Sequence, residues 1–160
     1  NDFPTLAGSY IKPEQTIYLL VNHERVHEAV TDLIRVGLDN VAGYLAPQDL
    51  NAAPQLVTLE ELSAEGLQTR IAQHEVLVVD VRTAFEFELG HLPGALHIAH
   101  TRLLPRLHEI PRDRPLVVHC QKGDRSPAAA ALLARHGFEV YHLAGGLRSW
   151  YAAGYDAVSE

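Results

Sequence analysis

The chain has 160 residues, 47% hydrophobic and 21% charged, enough to bury a core, and its net charge of -7 at pH 7 gives no basic field for a phosphate backbone. One cysteine cannot form an internal disulfide, which fits a reducing, cytoplasmic setting, and no apolar run approaches the ~20 residues that span a bilayer. Nucleic acid and membrane are therefore not expected as partners. The absence of methionine and the start at Asn1 point to a processed or excised piece of a longer chain.

Residues 17 to 45, IYLLVNHERVHEAVTDLIRVGLDNVAGYL, read as strand, loop, helix, Gly37 and strand. HERVH at 23 to 27 fits a zinc-protease pattern, but it falls at a strand-to-helix turn and supplies only two His, so no metal is expected. The helix face of Val26, Ala29, Val30 and Leu33 would stand uncovered alone, so the segment is expected to dock against the 55 to 156 domain or a copy of itself, or to await upstream strands. APQDLNAAP, residues 46 to 54, reads as a linker between segments 1–50 and 51–160.

Beyond it, Thr58 and Glu61 suggest a capping box for a short helix, with TLEELSAE as its solvated face, and Leu67 and Ile71 stripe a second helix. VLVVDV at 76 to 81 is a buried strand; TAFEFELG is a helix stopped by Gly90; Ala95 to Ile98 is a short strand. A helical stretch from Thr101 is disturbed by Pro105. LVVHC is the next buried strand, followed by a helix with Ser126 as N-cap, Pro127 at N1 and Gly137 at C′. FEVYHL is a strand, and AGGLRSWYAAG a Gly turn and short helix. Strands alternating with helices predict an α/β fold with a parallel sheet flanked by helices on both faces.

Residues 115 to 143 repeat residues 17 to 45. Arg25, Ala29, Leu33, Arg35 and Gly37 match Arg125, Ala129, Leu133, Arg135 and Gly137 at constant separation. The first copy loses two loop residues and carries Asn22 where Cys120 would fall.

Cys120 ends a strand just before a capped helix, where the amides of Gln121 to Ser126 can curl around a thiolate. Gly123 permits the curl, and Lys122 and Arg125 add cations that suit an anionic substrate. A lone cysteine is otherwise most often a buried small hydrophobe. A cysteine phosphatase also uses strand, cysteine loop and helix, but its loop holds one residue more than the four between Cys120 and Arg125.

HCQKGDRS, VVDVRTAFEFELGHLPGALHI and HLAGGLRSWYAAG resemble, in order and spacing, the rhodanese (sulfurtransferase) domain over about residues 55 to 156. The resemblance implies a rhodanese-like parallel sheet and transfer of sulfane sulfur from thiosulfate or a low-molecular-weight persulfide, such as glutathione persulfide, to a thiol acceptor through a Cys120 persulfide. It implies a substrate-binding loop of Gln121, Lys122, Gly123, Asp124, Arg125 and Ser126, with Asp80 and Arg82 on a neighbouring strand, Arg82 near the pocket, and no cofactor. The rival from another class is a non-catalytic rhodanese-like regulatory or binding module. Residues 1–50 read as a partial, cysteine-free rhodanese unit. That arrangement is similar to fusions of a metallo-β-lactamase-like persulfide dioxygenase with rhodanese units, so an upstream dioxygenase domain, or self-association through 1–50, is the expected partnership.

Overall fold

A computed structural model describes residues 3–52 and 58–159. The chain divides into two compact units, Asn1–Thr58 and Leu59–Glu160. The linker expected at 46 to 54 lies partly outside the described residues; its described part, Pro47–Ala52, is 3-10 helix.

The first unit holds helix α1 (Phe3–Tyr10), strand β1 (Ile17–Leu20), helix α2 (Val26–Arg35) and strand β2 (Val41–Leu45), with β1 and β2 paired in parallel. The strand, helix and strand of the repeat are present, joined by the crossover that parallel pairing requires. Their connecting loop, 21 to 25, is one residue shorter than 120 to 125; the sequence match implied two. The apolar face of α2 is not left bare. Leu33 is buried with Ala7 of α1 and with Ile17, Leu19 and Leu38, and Ala29 and Val30 pack against that cluster. Sequence reading missed α1, whose FPTLAGSY carries neither an acidic first turn nor a basic last turn. HERVH is split between a 3-10 turn, His23–Arg25, and the start of α2, and His23 Nδ1 lies 2.6 Å from the Tyr44 hydroxyl. No group of three or more His, Cys, Asp or Glu able to hold a metal occurs among the described residues.

The second unit contains strands β3 (Glu60–Leu62), β4 (Leu77–Asp80), β5 (Leu96–His97), β6 (Leu116–His119) and β7 (Val140–Leu143). They form one parallel five-stranded sheet in the order β3-β7-β6-β4-β5. Central β6 is buried at every position, as its unbroken LVVH run requires of a strand covered on both faces. Val78 and Val117 are register partners and face a cluster that includes Leu67 of helix α3 (Ala64–Ala72) and Leu147 and Trp150 of helix α6 (Gly146–Ala152). Val79 and Val118, on the opposite side by strand alternation, are equally buried, and helix α5 (Ser126–Arg135) packs on β6 and β7 with Ala129, Ala130 and Leu133 buried. The fold is the α/β parallel sheet flanked by helices that the alternation predicts.

Three local readings change. TLEELSAE is not a helix: Glu60–Leu62 form the edge strand, and α3 begins after Ser63, whose side chain accepts the Gly66 N–H. Pairing with β7 overrides the capping-box signal at Thr58. The stretch after Thr101 is two 3-10 segments, His100–Arg102 and Leu104–Glu109, because Pro105 denies the α-helix a donor. Helix α5 starts at Ser126, one residue early, with Arg125 as its N-cap. Among the described residues no helix is long and apolar enough to cross a membrane.

Leu33, 1% exposed, anchors the small core of the first unit. Leu33→Ala is expected to lower the unfolding free energy of that unit by about 2–5 kcal/mol in urea titrations followed by hydrogen exchange, while the amides of β4 and β6 keep their protection. A loss below ~1 kcal/mol would mean that the cluster does not hold the unit together.

Candidate active site

The carboxyl ends of β4, β6 and β7 lie side by side because the three strands are parallel and adjacent, and loops leaving such ends build the usual site of an open α/β sheet. The loop after β6 turns around its own first side chain. The N–H groups of Gly123 and Arg125 point at Cys120 Sγ from 3.2 and 3.4 Å. Ser126 Oγ is 3.7 Å away, so its hydroxyl can turn to donate once the sulfur is ionised. Gly123 makes the curl at φ 87°, a region that costs other residues about 1–2 kcal/mol.

The curl is held from behind by the loop after β7. Two of the free amides in the first turn of α6, those of Leu147 and Arg148, donate to the carbonyls of Cys120 (2.8 Å) and Gln121 (3.0 Å). These bonds anchor the first two residues of the loop whose later amides, of Gly123 and Arg125, face the sulfur. This approach requires Gly146: at φ 63° its α-carbon lies so near that a Cβ would fall on the Cys120 carbonyl oxygen and the Gln121 and Gly123 backbone. The AGG turn is thus part of the site. The sequence signal for it was present, two glycines after a strand, but without the fold nothing tied them to Cys120.

The charged residues sit differently from the sequence expectation. Arg82 is 2% exposed and does not present a free guanidinium. It donates to both oxygens of Asp80 (2.6 to 3.0 Å), to the Gly90 carbonyl (2.7 Å) and to Gln121 Oε1 (3.0 Å). Burial enforces the pairing, since an unpaired carboxylate or guanidinium there would cost several kcal/mol. Arg82 ties the end of β4 to the side chain that follows Cys120, and it also lines a cavity adjoining the loop, as the expectation of Arg82 near the pocket has it. His119, opposite Asp80 in the ladder, is also fully buried. Desolvation, partly offset by the Asp80 charge, pushes its imidazole below the usual histidine range.

Arg125 is likewise engaged. It forms a two-pronged pair with Glu86, at 2.9 and 2.7 Å, rather than standing open to substrate. Glu86 is also the N3 residue of a capping box with Thr83, which starts helix α4 (Ala84–Glu88). The T-A-F-E spacing is a sequence signal for that cap, and it could have drawn Glu86 into the candidate set. The hydrogen bonds from Arg125, outweighing partial burial, bring the Glu86 carboxyl down to about 2, and the same pair raises the Arg125 guanidinium.

Lys122 is exposed and makes none of these bonds. Asp124 is 42% exposed in its side chain, and its Oδ1 lies 3.3 Å from Cys120 Sγ, accepting the thiol proton, and 3.0 Å from the Arg125 N–H. Partial burial works to raise its carboxyl, but the hydrogen bonds from Cys120 and from backbone amides bring it below the ordinary value. A cavity of about 310 Å3 adjoins the loop, lined by Gln121, Arg82 and Glu86 and by the apolar Leu89, Leu147 and Tyr151. Of the sequence-predicted loop residues, Gly123, Asp124, Arg125 and Ser126 gather at Cys120 and Gln121 meets Arg82, while Lys122 stands apart; Glu86, Gly146 and His119 join the site.

Two outcomes test this geometry. Gly154 sits at φ 82° with open space around it, so Gly154→Ala carries only backbone strain, about 1–2 kcal/mol. Gly146→Ala, which adds backbone collision, is expected to cost at least about 2 kcal/mol more; equal losses in urea titration would remove the glycine from the site's construction. For Glu86, a carboxyl lowered from 4.5 to about 2 on folding contributes stability that is complete above 4.5 and is lost as pH falls toward 2. The stability advantage of the wild type over Glu86→Gln should therefore shrink across that window; a pH-independent gap would contradict the pairing.

Comparison with known proteins agrees with this geometry. The chain is 38% identical over 103 residues to a sulfurtransferase of Allochromatium vinosum, covering 63% of this chain and 96% of that one. A rhodanese-related protein from Thermoplasma volcanium superimposes with a TM-score of 0.60 at 31% identity, over 63% of this chain and 99% of its own. A rhodanese-like domain protein from Staphylococcus aureus, 22% identical, shares the fold with a TM-score of 0.58 over 64% of this chain and 99% of its own. The family model described as Rhodanese-like domain matches residues 63–153, the stretch that carries β4 to α6 and the cysteine loop, and the chain belongs to that family, with a sulfurtransferase-type function.

Proposed function

We propose that the second unit transfers sulfane sulfur through a persulfide on Cys120. The observation that carries this reading is the pair of amides from Gly123 and Arg125 on Cys120 Sγ, fixed by α6 from behind. Preset N–H groups stabilise negative charge on sulfur without reorganising during reaction, and the N-terminus of α5 adds its dipole. Nothing about packing a small hydrophobe, or about a purely docking module, calls for that cradle.

In the first step the Cys120 thiolate attacks the outer sulfur of the donor. The Cys120 Sγ to sulfur bond forms, the donor's sulfur–sulfur bond breaks, and the leaving group departs with the electron pair, as sulfite from thiosulfate or as a thiolate from a low-molecular-weight persulfide. In the second step an acceptor thiolate attacks the outer sulfur of the Cys120 persulfide, takes it, and releases the Cys120 thiolate. Gly123, Arg125 and Ser126 hold charge on the sulfur in each resting form, and no cofactor enters the balance. With four residues between Cys120 and Arg125, the loop is one short of the ring that wraps a phosphate.

Intact mass after brief exposure to a sulfur donor is expected to rise by one sulfur, and to return on treatment with dithiothreitol. Cys120→Ser should abolish both the mass change and turnover, since the chain has no other cysteine. Turnover by that variant above trace level would overturn the mechanism.

A further inference from the structure

Resting on the sulfur-transfer reading, we propose that Asp124 determines donor specificity, turning the site toward sulfane donors of low charge with an apolar body, organic persulfides and thiosulfonates, and against the inorganic dianion thiosulfate. Three observations lead there. Cys120 is fully buried, and the half-exposed carboxylate of Asp124 lies 3.3 Å from its sulfur, so an entering donor meets a negative charge first. The same carboxylate takes the Arg125 N–H at 3.0 Å, competing with the sulfur for one of its two amides. The two arginines nearest the sulfur are compensated, Arg82 by Asp80 and Arg125 by Glu86. A sulfonate carrying the second charge of thiosulfate therefore meets the Asp124 carboxylate without a free guanidinium from either of them to offset it.

The adjoining space offers something else. The cavity beside Gln121 has Leu89, Leu147 and Tyr151 on its wall beside the ion-paired Arg82 and Glu86, and Leu89 is 70% exposed. An organic substituent on the donor can lie on that wall and gain apolar burial, whereas a sulfonate oxygen would have to leave water for it. For a thiosulfonate the balance is that of the parent reaction: the Cys120 thiolate takes the outer sulfur, and the sulfinate leaves with the electron pair.

The test compares thiosulfate with benzenethiosulfonate, which replaces one charged oxygen by a ring, on the full chain with one acceptor thiol. Asp124→Asn is expected to raise kcat/KM for thiosulfate by on the order of tenfold while changing benzenethiosulfonate by less. The thiosulfate rate of the wild type should rise with ionic strength as the repulsion is screened, and that rise should be absent from Asp124→Asn. Leu89→Ser should lower benzenethiosulfonate alone. If Asp124→Asn leaves the ratio of the two donors unchanged, or depresses both together, Asp124 is structural and the proposal falls. If neither donor loads sulfur on wild-type Cys120 by mass, the sulfur-transfer reading itself fails, a result distinct from a loaded enzyme without the preference.

Discussion

The site depends on one close approach, that of the α6 N-terminus to the backbone of the Cys120 loop. Helix starts leave amide donors without intrahelical partners, and here two of them go to the carbonyls of Cys120 and Gln121. Those two bonds pin the start of the loop against the helix, while the sulfur takes its donors, the Gly123 and Arg125 amides, from peptides further along it. Gly146 sets the distance, having no side chain to hold the two backbones apart. Cysteine chemistry in this unit is thus built by β7 and α6 as much as by the loop that contains the cysteine.

Charge is handled by internal compensation. Arg82 and Asp80 are buried together, and the guanidinium spends its remaining donors on a backbone carbonyl and on Gln121. Arg125 and Glu86 join the cysteine loop to the first turn of α4. Both pairs fix the positions of elements that carry the site, which is the best-supported use of ion pairs that are costly to desolvate. The consequence for chemistry is that stabilisation of the sulfur falls to neutral dipoles, the amides and the Ser126 hydroxyl, with Asp124 and Lys122 left to meet solvent.

The first unit shows what the same strand, helix and strand become without that setting. Its β1, α2 and β2 keep the parallel pairing, and Leu33 keeps the buried place that its counterpart Leu133 holds in the second unit. The loop is shorter and carries no cysteine, and α1 supplies the cover that a larger sheet would otherwise share. The repeat therefore retains the packing half of the design and lacks the reactive half.

The sequence by itself determined the elements whose signals are local. The apolar runs at 76 to 79 and 116 to 118 read as strands covered on both faces, and Gly137 closed α5 in a way that chain chemistry alone dictates. It also placed the proposed sulfur carrier, because a turn between a buried strand and a helix start, with a glycine to bend it, gathers free amides around whatever side chain opens it, and here that side chain is the lone cysteine. What it left open were the partners of charges and the identity of edge elements. Glu60 to Leu62 look helical until β7 offers its ladder, and α1 has no terminal signal of its own. Arg82 and Arg125 look like anion binders until Asp80 and Glu86 arrive beside them, the second from 39 residues away. Gly146 is a turn glycine until the fold brings Cys120 against it. Hydrogen-bond satisfaction and charge pairing are properties of three-dimensional neighbours, and only the tertiary structure could decide them.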